Sequence, residues 1–304
     1  MGKTAVLFAG QGAQYPGMGR ALYETSPAAR AVFDMADSIR PGTSRQCWEG
    51  SPEELAVTVN TQPCLFTVDL ACGEALREAG VTPQAVAGFS LGELAALAFS
   101  GMLDREDAFR LVCRRAELMQ QCAEETKGSM AAVLKLPFEQ VEAICASFDN
   151  AYPVNYNCPG QLVVAAAAEQ MDGIVAAVKA AGGKCVPLAV SGAFHSPFMA
   201  QASAKMAKEL AHVAYQEGKI PVYANLNGRP YAGDYASLTA GQIQSPVQWV
   251  DTLRNLQEAG FNTFVEAGPG KTLSGLVKKT LSGVTICRTE DPATLAETMR
   301  TIGG

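Results

Sequence analysis

Short apolar runs alternate along the chain with stretches whose apolar positions recur at helical spacing, and this alternation predicts an α/β protein with a mostly parallel sheet. Strands are predicted at 4–8, 85–88, 222–224, 263–266 and 284–287. Helices are predicted near 27–39, 63–79, 92–100, 104–122, 197–213, 247–259 and 271–280. The stretch 128–189 has a different texture. It reads strand (130–134), helix (137–148), strand (153–156), strand (161–165), helix (169–181), strand (184–188), which is the ferredoxin-like order. The pattern therefore predicts a small subdomain, 128–189, inserted into a large one made of 1–127 and 190–304. Thr126-Lys127-Gly128 and Ser191-Gly192-Ala193 are the expected hinges.

Composition narrows the class. With 304 residues, 48% of them apolar and 18% charged, the chain can bury a large core and is not disordered. A net charge of −6 without a basic tail speaks against nucleic acid as a partner. Only 85–103 could pass for a membrane span, and Gly88, Ser90, Gly92, Glu93 and Ser100 within it favour a buried strand-turn-helix. No basic cluster precedes an apolar stretch at the start, so no secretory leader is expected, and Val6 stands where myristoylation needs Ser or Thr. The nine cysteines lie scattered with no C-x-x-C pair, and only two histidines accompany them. Neither a zinc site nor a redox motif can be built from these, so free thiols in the cytoplasm are expected.

Gly88-Phe89-Ser90-Leu91-Gly92 matches G-x-S-x-G between a predicted buried strand and a predicted helix. Such a turn needs glycine on both sides of the serine and leaves Ser90 at a helix N-terminus, where N–H groups can hold negative charge. Ser90 reads as a nucleophile or, more plainly, as the cap of a glycine-rich turn. Of the two histidines, His212 falls at the edge of the stripe Phe198, Ala202, Met206, Leu210, Val213 and reads as a surface residue. His195 lies directly before a helix that Ser196 caps and Pro197 begins, a place for a catalytic base or for a structural hydrogen bond. Serine before histidine is the chain order of α/β-hydrolases, so the large subdomain is expected to be α/β-hydrolase-like. Spacing identifies no acidic third member.

On the helix at 104–122, Ala108, Leu111, Val112, Leu118, Met119 and Cys122 cluster on one side, and Arg115 falls at its centre. A guanidinium there needs an anion, either an internal carboxylate such as Glu93 or the carboxylate of a substrate. Arg114 faces the polar side and is the natural control. Two glycine-rich loops do not support nucleotide binding: Tyr15 replaces the third glycine of the dinucleotide motif, and Val265 the first glycine of a P-loop. The first of them, Gly10-Gln11-Gly12, follows a strand and reads as a tight turn or as the source of an oxyanion-hole N–H.

Read in order, these segments resemble the malonyl-CoA:acyl-carrier-protein transacylases of fatty-acid synthesis and the acyltransferase domains of polyketide synthases. The resemblance runs nearly end to end. It takes in Phe8-Ala9-Gly10-Gln11-Gly12-Ala13-Gln14, Thr61-Gln62-Pro63, Gly88 to Glu93, Arg115 and Asn157-Cys158-Pro159-Gly160-Gln161. Gly192 to Pro197, Gln242 ahead of Pro246-Val247-Gln248-Trp249, and Glu266 to Lys271 complete it. The resemblance implies Ser90 as the acylated nucleophile, His195 as its base, and the Gln11 and Leu91 N–H groups as the oxyanion hole. It implies Arg115 as the holder of the malonyl carboxylate, a backbone carbonyl near Gln242 as the orienter of His195, and Asn157 and Gln62 as lining residues. One departure is Phe89, where the family usually has histidine; it is expected to pack under the elbow.

The expected reaction is malonyl transfer from malonyl-CoA to acyl carrier protein through a malonyl-serine ester, with no metal and no bound cofactor. The alternatives are a discrete acyltransferase serving a polyketide synthase, a serine esterase or thioesterase, and a catalytically inert scaffold. A discrete, monomeric enzyme without membrane attachment is expected. Lys271, Lys278 and Lys279, or Lys205 and Lys208, read either as a docking patch for an acidic carrier or as solvated helix faces.

Overall fold

The computed structural model describes residues 2–190 and 192–303. Strand β1 (Lys3–Phe8) is buried from its second residue onward and apolar from its third, as suits a strand covered on both faces. Five helices follow: α1 (Arg20–Thr25), α2 (Pro27–Ile39), α3 (Thr43–Glu49), α4 (Pro52–Ala56) and α5 (Thr58–Glu78). Then come β2 (Ala85–Gly88), α6 (Gly92–Ser100) and α7 (Arg105–Thr126). The next stretch holds β3 (Gly128–Leu134), α8 (Phe138–Ala146), β4 (Ala151–Cys158), β5 (Gln161–Ala167), α9 (Met171–Ala180) and β6 (Lys184–Pro187). The last stretch holds α10 (Ala200–Leu210), β7 (Val222–Tyr223), α11 (Tyr235–Gly241) and α12 (Trp249–Glu258). β8 (Phe261–Ala267), α13 (Thr272–Thr280), β9 (Thr285–Thr289) and α14 (Pro292–Gly303) close the chain.

The strands form two sheets. The large one is parallel, in the order β7-β2-β1-β8-β9, and its five strands fall where the alternation of patterns places them. The small one is antiparallel, in the order β4-β5-β3-β6, so that its first strand lies between its third and fourth, as the ferredoxin-like order requires. The sheets meet where Val247, just ahead of α12, exchanges backbone hydrogen bonds with β4: Val247 N to Val154 O (2.9 Å) and Tyr156 N to Val247 O (3.0 Å). A Cβ on Gly128 would collide with Ala193, so the entry to the small sheet and the approach to α10 lie in contact. Of the second expected hinge, Ser191 lies outside the described residues.

Several helices depart from expectation. The helix expected near 63–79 begins earlier: α5 starts at Thr58 and contains Pro63. Val57 O accepts from the Asn60 and Thr61 amides (2.8 and 2.9 Å), and the Thr61 hydroxyl bonds Leu55 O, so the first turn closes before the proline is reached. α10 ends at Leu210, short of 213, which leaves His212 exposed in the turn beyond it. Residues 197–199 form a separate 3₁₀ turn capped by the Ser196 hydroxyl. The short helices α1, α3, α4 and α11 give too few turns for a periodic signal. α14 does carry one, with Leu295, Met299 and Ile302 packed on the core. All nine cysteines are free thiols. Among the described residues, no helix is long and apolar enough to cross a membrane.

Candidate active site

The G-x-S-x-G turn connects β2 to α6 at the carboxyl edge of the parallel sheet. Both glycines are required by close approach: a Cβ on Gly88 would run into the Gly92 carbonyl, and one on Gly92 into Phe8 O. Between them Ser90 is held at φ +53°, in the left-handed region that a side chain rarely occupies. The N–H groups of the turn are almost all spoken for. Phe89 N donates to Phe8 O (3.0 Å), Gly92 N to Phe89 O (3.0 Å) and Glu93 N to Ser90 O (3.1 Å). Ser90 N donates to Asn225 Oδ1 (2.6 Å). Leu91 N has no acceptor among the described residues. Neither has Gln11 N, on the loop that Gly10 brings against the elbow, where a Cβ would meet Phe89 O at 2.7 Å. Two free N–H groups beside a serine are the equipment of an oxyanion hole.

His195 sits across from the elbow, buried and itself at φ +60°. Its Nε2 lies 2.7 Å from Ser90 Oγ and its Nδ1 2.9 Å from the Gln242 carbonyl. Because that carbonyl can only accept, Nδ1 carries the hydrogen, and Nε2 is the free base facing the hydroxyl. Burial, and then the nearby positive charge of Arg115, push the imidazole down to about 4. It is therefore neutral, and able to take a proton, throughout the physiological range.

Arg115 is fully buried on α7. Its Nη1 donates to Gln62 Oε1 (2.8 Å), while Nη2 donates to Gln242 Oε1 (2.8 Å) and reaches Ser90 Oγ at 3.3 Å. Its Nε has no partner among the described residues. The alternative of an internal ion pair with Glu93 does not hold. The Glu93 carboxylate is taken up by Asn225 N (2.6 Å) and by the Tyr231 hydroxyl. Burial pushes Glu93 up to about 7 and Arg115 down to about 10, as expected of charges lacking a direct counter-ion. The neighbouring Arg114 is half-exposed and bonded to Glu117 and Glu209 (2.9 Å each).

A cavity of about 70 Å³ opens beside Ser90 and His195, between Met119, Met130 and Phe194. It joins, through Gln11, Phe89, Asn155 and Leu188, a cleft of about 220 Å³ that runs between the β1 loop, the small sheet and α13. Asn157 lines this outer cleft, with its Oδ1 buried and unpartnered among the described residues. Gln62 lies at the inner end, on Arg115. Phe89 corrects an expectation. It does not pack beneath the elbow but forms part of the wall of both cavities, its ring edge-on to Trp249 at 5.3 Å. Gly10 lies directly against the Phe89 side chain, where a Cβ would meet Cδ1 at 3.0 Å, so the ring is held between the β1 loop and Trp249, in the wall of the cleft.

Sequence reasoning missed Asn225 and Asn155, and it left open a pairing of Arg115 with Glu93 that the structure does not form. Asn225 does carry a signal: it is the polar residue directly after a predicted strand, at the edge of a parallel sheet where binding crevices form. Asn155 sits two residues before Asn157 on β4, so the two share a face.

Known proteins are similar to this chain along its whole length. Residues 6–301 match the family described as acyl transferase domain. The malonyl CoA-acyl carrier protein transacylase of Bacillus subtilis is 36% identical over 310 residues, covering 99% of this chain and 98% of its own. The crystal structure of the transacylase of that name from Clostridium perfringens superposes with a TM-score of 0.95 at 33% identity, over 99% of this chain and 97% of that one. A malonyl-transacylase solved in complex with a type II polyketide-synthase acyl-carrier protein gives 0.95 at 31% identity, over 98% and 99%. The serine elbow, the histidine facing it and the buried arginine thus lie within a match that runs from β1 to α14, and the chain belongs to the acyl transferase family.

Proposed function

We propose that this enzyme moves a malonyl group from malonyl-CoA to the phosphopantetheine thiol of acyl carrier protein, supplying extender units for fatty-acid synthesis. The observation that carries the reading is Arg115, a buried guanidinium with no carboxylate partner among the described residues, whose Nη2 stands 3.3 Å from Ser90 Oγ. Malonate is a three-carbon diacid. With its thioester carbon at Ser90, its free carboxylate reaches the guanidinium, and two parallel hydrogen bonds replace the missing counter-ion.

Ser90 Oγ attacks the thioester carbon as His195 Nε2 takes its proton. Leu91 N–H and Gln11 N–H hold the oxyanion of the tetrahedral intermediate. Collapse expels the coenzyme A thiolate, which the imidazolium protonates, and the carrier thiol then attacks the malonyl ester by the reverse path. The Gln242 carbonyl stabilises the imidazolium through Nδ1–H, in the place where an acid stands in a Ser-His-Asp triad. Substrate binding also tunes the base. The malonyl carboxylate neutralises the Arg115 charge that depresses His195, so the imidazole becomes more basic once the right acyl group is bound.

No cofactor beyond the thioester substrate is needed for these steps. Every group in them comes from one chain, which supports a monomer, and nine free thiols suit the cytoplasm. The small unit is assigned to 128–189 and the large one to 1–127 with 190–304, on the strength of two sheets that share no strand. For the carrier, Lys271, Lys278 and Lys279 are the favoured docking patch: they ride on or beside α13, whose Leu273 and Leu276 line the outer cleft. The solved relative bound to a polyketide carrier favours one second reading, in which that kind of carrier is the acceptor. Comparing transfer rates to the two purified carriers separates them.

Intact mass after brief mixing with malonyl-CoA tests the main reading. Wild type is expected to carry one malonyl adduct, absent from Ser90→Ala and lost from Arg115→Ala. Free malonate without an adduct would make the protein a hydrolase. Neither adduct nor turnover would make it a scaffold.

A further inference from the structure

We propose that Asn225 is a positioning residue for acyl transfer: it removes the Ser90 N–H from the reaction and leaves Leu91 N–H as the elbow's one free donor. The inference rests on Ser90 being the nucleophile. Asn225 is fully buried, and each of its four polar groups has a partner. Its Oδ1 accepts from Ser90 N (2.6 Å) and its Nδ2 donates to Gly88 O (2.6 Å). Its own N–H donates to Glu93 Oε2 (2.6 Å), and its carbonyl accepts from Gln248 N (2.8 Å).

The amide therefore spans the turn, gripping the peptide groups on either side of Phe89. Placement follows from register. β7 runs parallel to β2 with Val86 opposite Val222 and Ala87 opposite Tyr223, so the residue just past β7 arrives beside the elbow. The amide fits because the turn presents a donor and an acceptor to the same side chain. Among side chains of this length only asparagine answers both without a charge. Remove it, and a buried N–H and a buried C=O lose their partners at the residue whose φ of +53° most needs support. The 89–90 peptide can recover a partner only by rotating, and that rotation moves Ser90 Oγ off His195 Nε2 and turns Leu91 N–H away from the cavity. Asn225 thus touches no reacting atom. It sets which backbone donor faces the oxyanion.

Asn225→Ala and Asn225→Asp, prepared in the full chain and checked for folding by circular dichroism, are compared with wild type for the rate of malonyl-enzyme formation and for kcat and KM between about pH 6 and 8.5. Asn225→Ala is expected to slow acylation about 10²-fold, the scale of a misplaced reacting group or a lost oxyanion donor. KM for malonyl-CoA should stay within about threefold, because the bonds that hold Arg115 to Gln62 and Gln242 are untouched. Asn225→Asp carries the sharper readout. Ionised, it sets a second acceptor against Gly88 O; protonated, it restores one donor and one acceptor. The charged and titratable groups around it are Glu93 on α6, Tyr231 bonded to Glu93, Arg115 on α7 and His195 ahead of α10. Acylation by Asn225→Asp should therefore climb toward the wild-type rate as the pH falls, while wild type shows no such rise.

A side chain serving only to hold the fold would give losses that do not respond to pH. Acylation by Asn225→Ala within about threefold of wild type, or an Asn225→Asp profile parallel to wild type, would overturn the inference. If Asn225→Ala fails to fold, the Asn225→Asp profile decides alone. Wild type without an adduct would overturn the reading at Ser90 and this inference with it, whereas an adduct on wild type with unaltered variants sinks this inference only.

Discussion

The carboxyl edge of the parallel sheet and the antiparallel sheet beside it are built on opposite terms. At the first, Ser90, Glu93, Arg115, His195, Asn225 and Gln242 are all buried polar groups, and both Ser90 and His195 are held at positive φ. In the second, Ala131, Val133, Val164, Ile174 and Val178 make an apolar core. Its buried polar side chains among the described residues are Asn155 and Asn157, and both face the cleft. The difference follows from how the two sheets end. Parallel strands stop together at one edge, where their last N–H and C=O groups must find partners in loops and side chains, and those partners can be arranged for chemistry. The antiparallel sheet pairs its strands with one another and meets Val247 along its β4 edge, so to the site it offers a wall. Chemistry is expected to fail when the first region is altered, and stability when the second is.

The largest effect belongs to His195→Ala, which should lower malonyl-enzyme formation by about 10⁴-fold or more with the fold intact, as loss of a general base does where nucleophile and base act as a unit. Quenched mixing with malonyl-CoA reads this directly. A smaller loss, about 10²–10³-fold, is expected of Arg115→Ala with malonyl-CoA, the cost of truncating one member of a buried charge pair. The same variant tests the electrostatics. Arg115 lowers the His195 pKa, so its removal should raise that pKa from about 4, though burial, the larger cause, remains. Because the neutral imidazole is the active form, the acid limb of kcat/KM for an uncharged acyl-CoA should move to higher pH in Arg115→Ala. A limb that stays in place or moves down would show that the charge does not reach the base.

For the small sheet, Ile174→Val removes one methyl from its core and should cost about 0.5–1.5 kcal/mol in urea unfolding, with acylation unchanged. A fall in acylation comparable to that of Arg115→Ala would show that this sheet does more than shape the cleft.

Much of this division is legible in the sequence, for physical reasons that also mark where legibility stops. Strands buried on both faces announce themselves as apolar runs, and the elbow does so through Gly88 and Gly92, which close packing forces. Arg115 is visible because a charge at the centre of an apolar helical stripe has no bland explanation in water, although the wheel alone could not decide between Glu93 and a substrate. The partner of His195 is invisible to spacing and periodicity, since it is a backbone carbonyl and every residue has one; the resemblance alone points to Gln242. Asn225 escapes for a related reason: its role depends on the lateral register of β7 against β2, a long-range pairing that no local pattern encodes. The start of α5 differs from the expected 63 because its first turn, 58–61, is closed by the Asn60 and Thr61 amides and the Thr61 hydroxyl, polar groups that make no apolar period.

Phe89 sits where the two regions meet, and it promises the smallest effect. Its ring is edge-on to Trp249 and forms part of the cleft wall, outside the hydrogen bonds that join Ser90, His195, Gln242 and Arg115. Phe89→His keeps a planar ring of smaller size and adds a titratable group. Losing the aromatic pair should cost about 0.5–1.5 kcal/mol of stability, and acylation near pH 8 should stay within about threefold of wild type. With His195 titrating near 4, the wild-type profile has no ionisation in the neutral range from its only catalytic imidazole. The variant should gain a shallow one near pH 6.5, the ordinary value for an imidazole in contact with water. A change of tenfold or more would mean that the residue before the nucleophile acts on the Ser90–His195 pair. The wall would then belong with the machinery, and the line between the two regions would have to be drawn on the far side of Phe89.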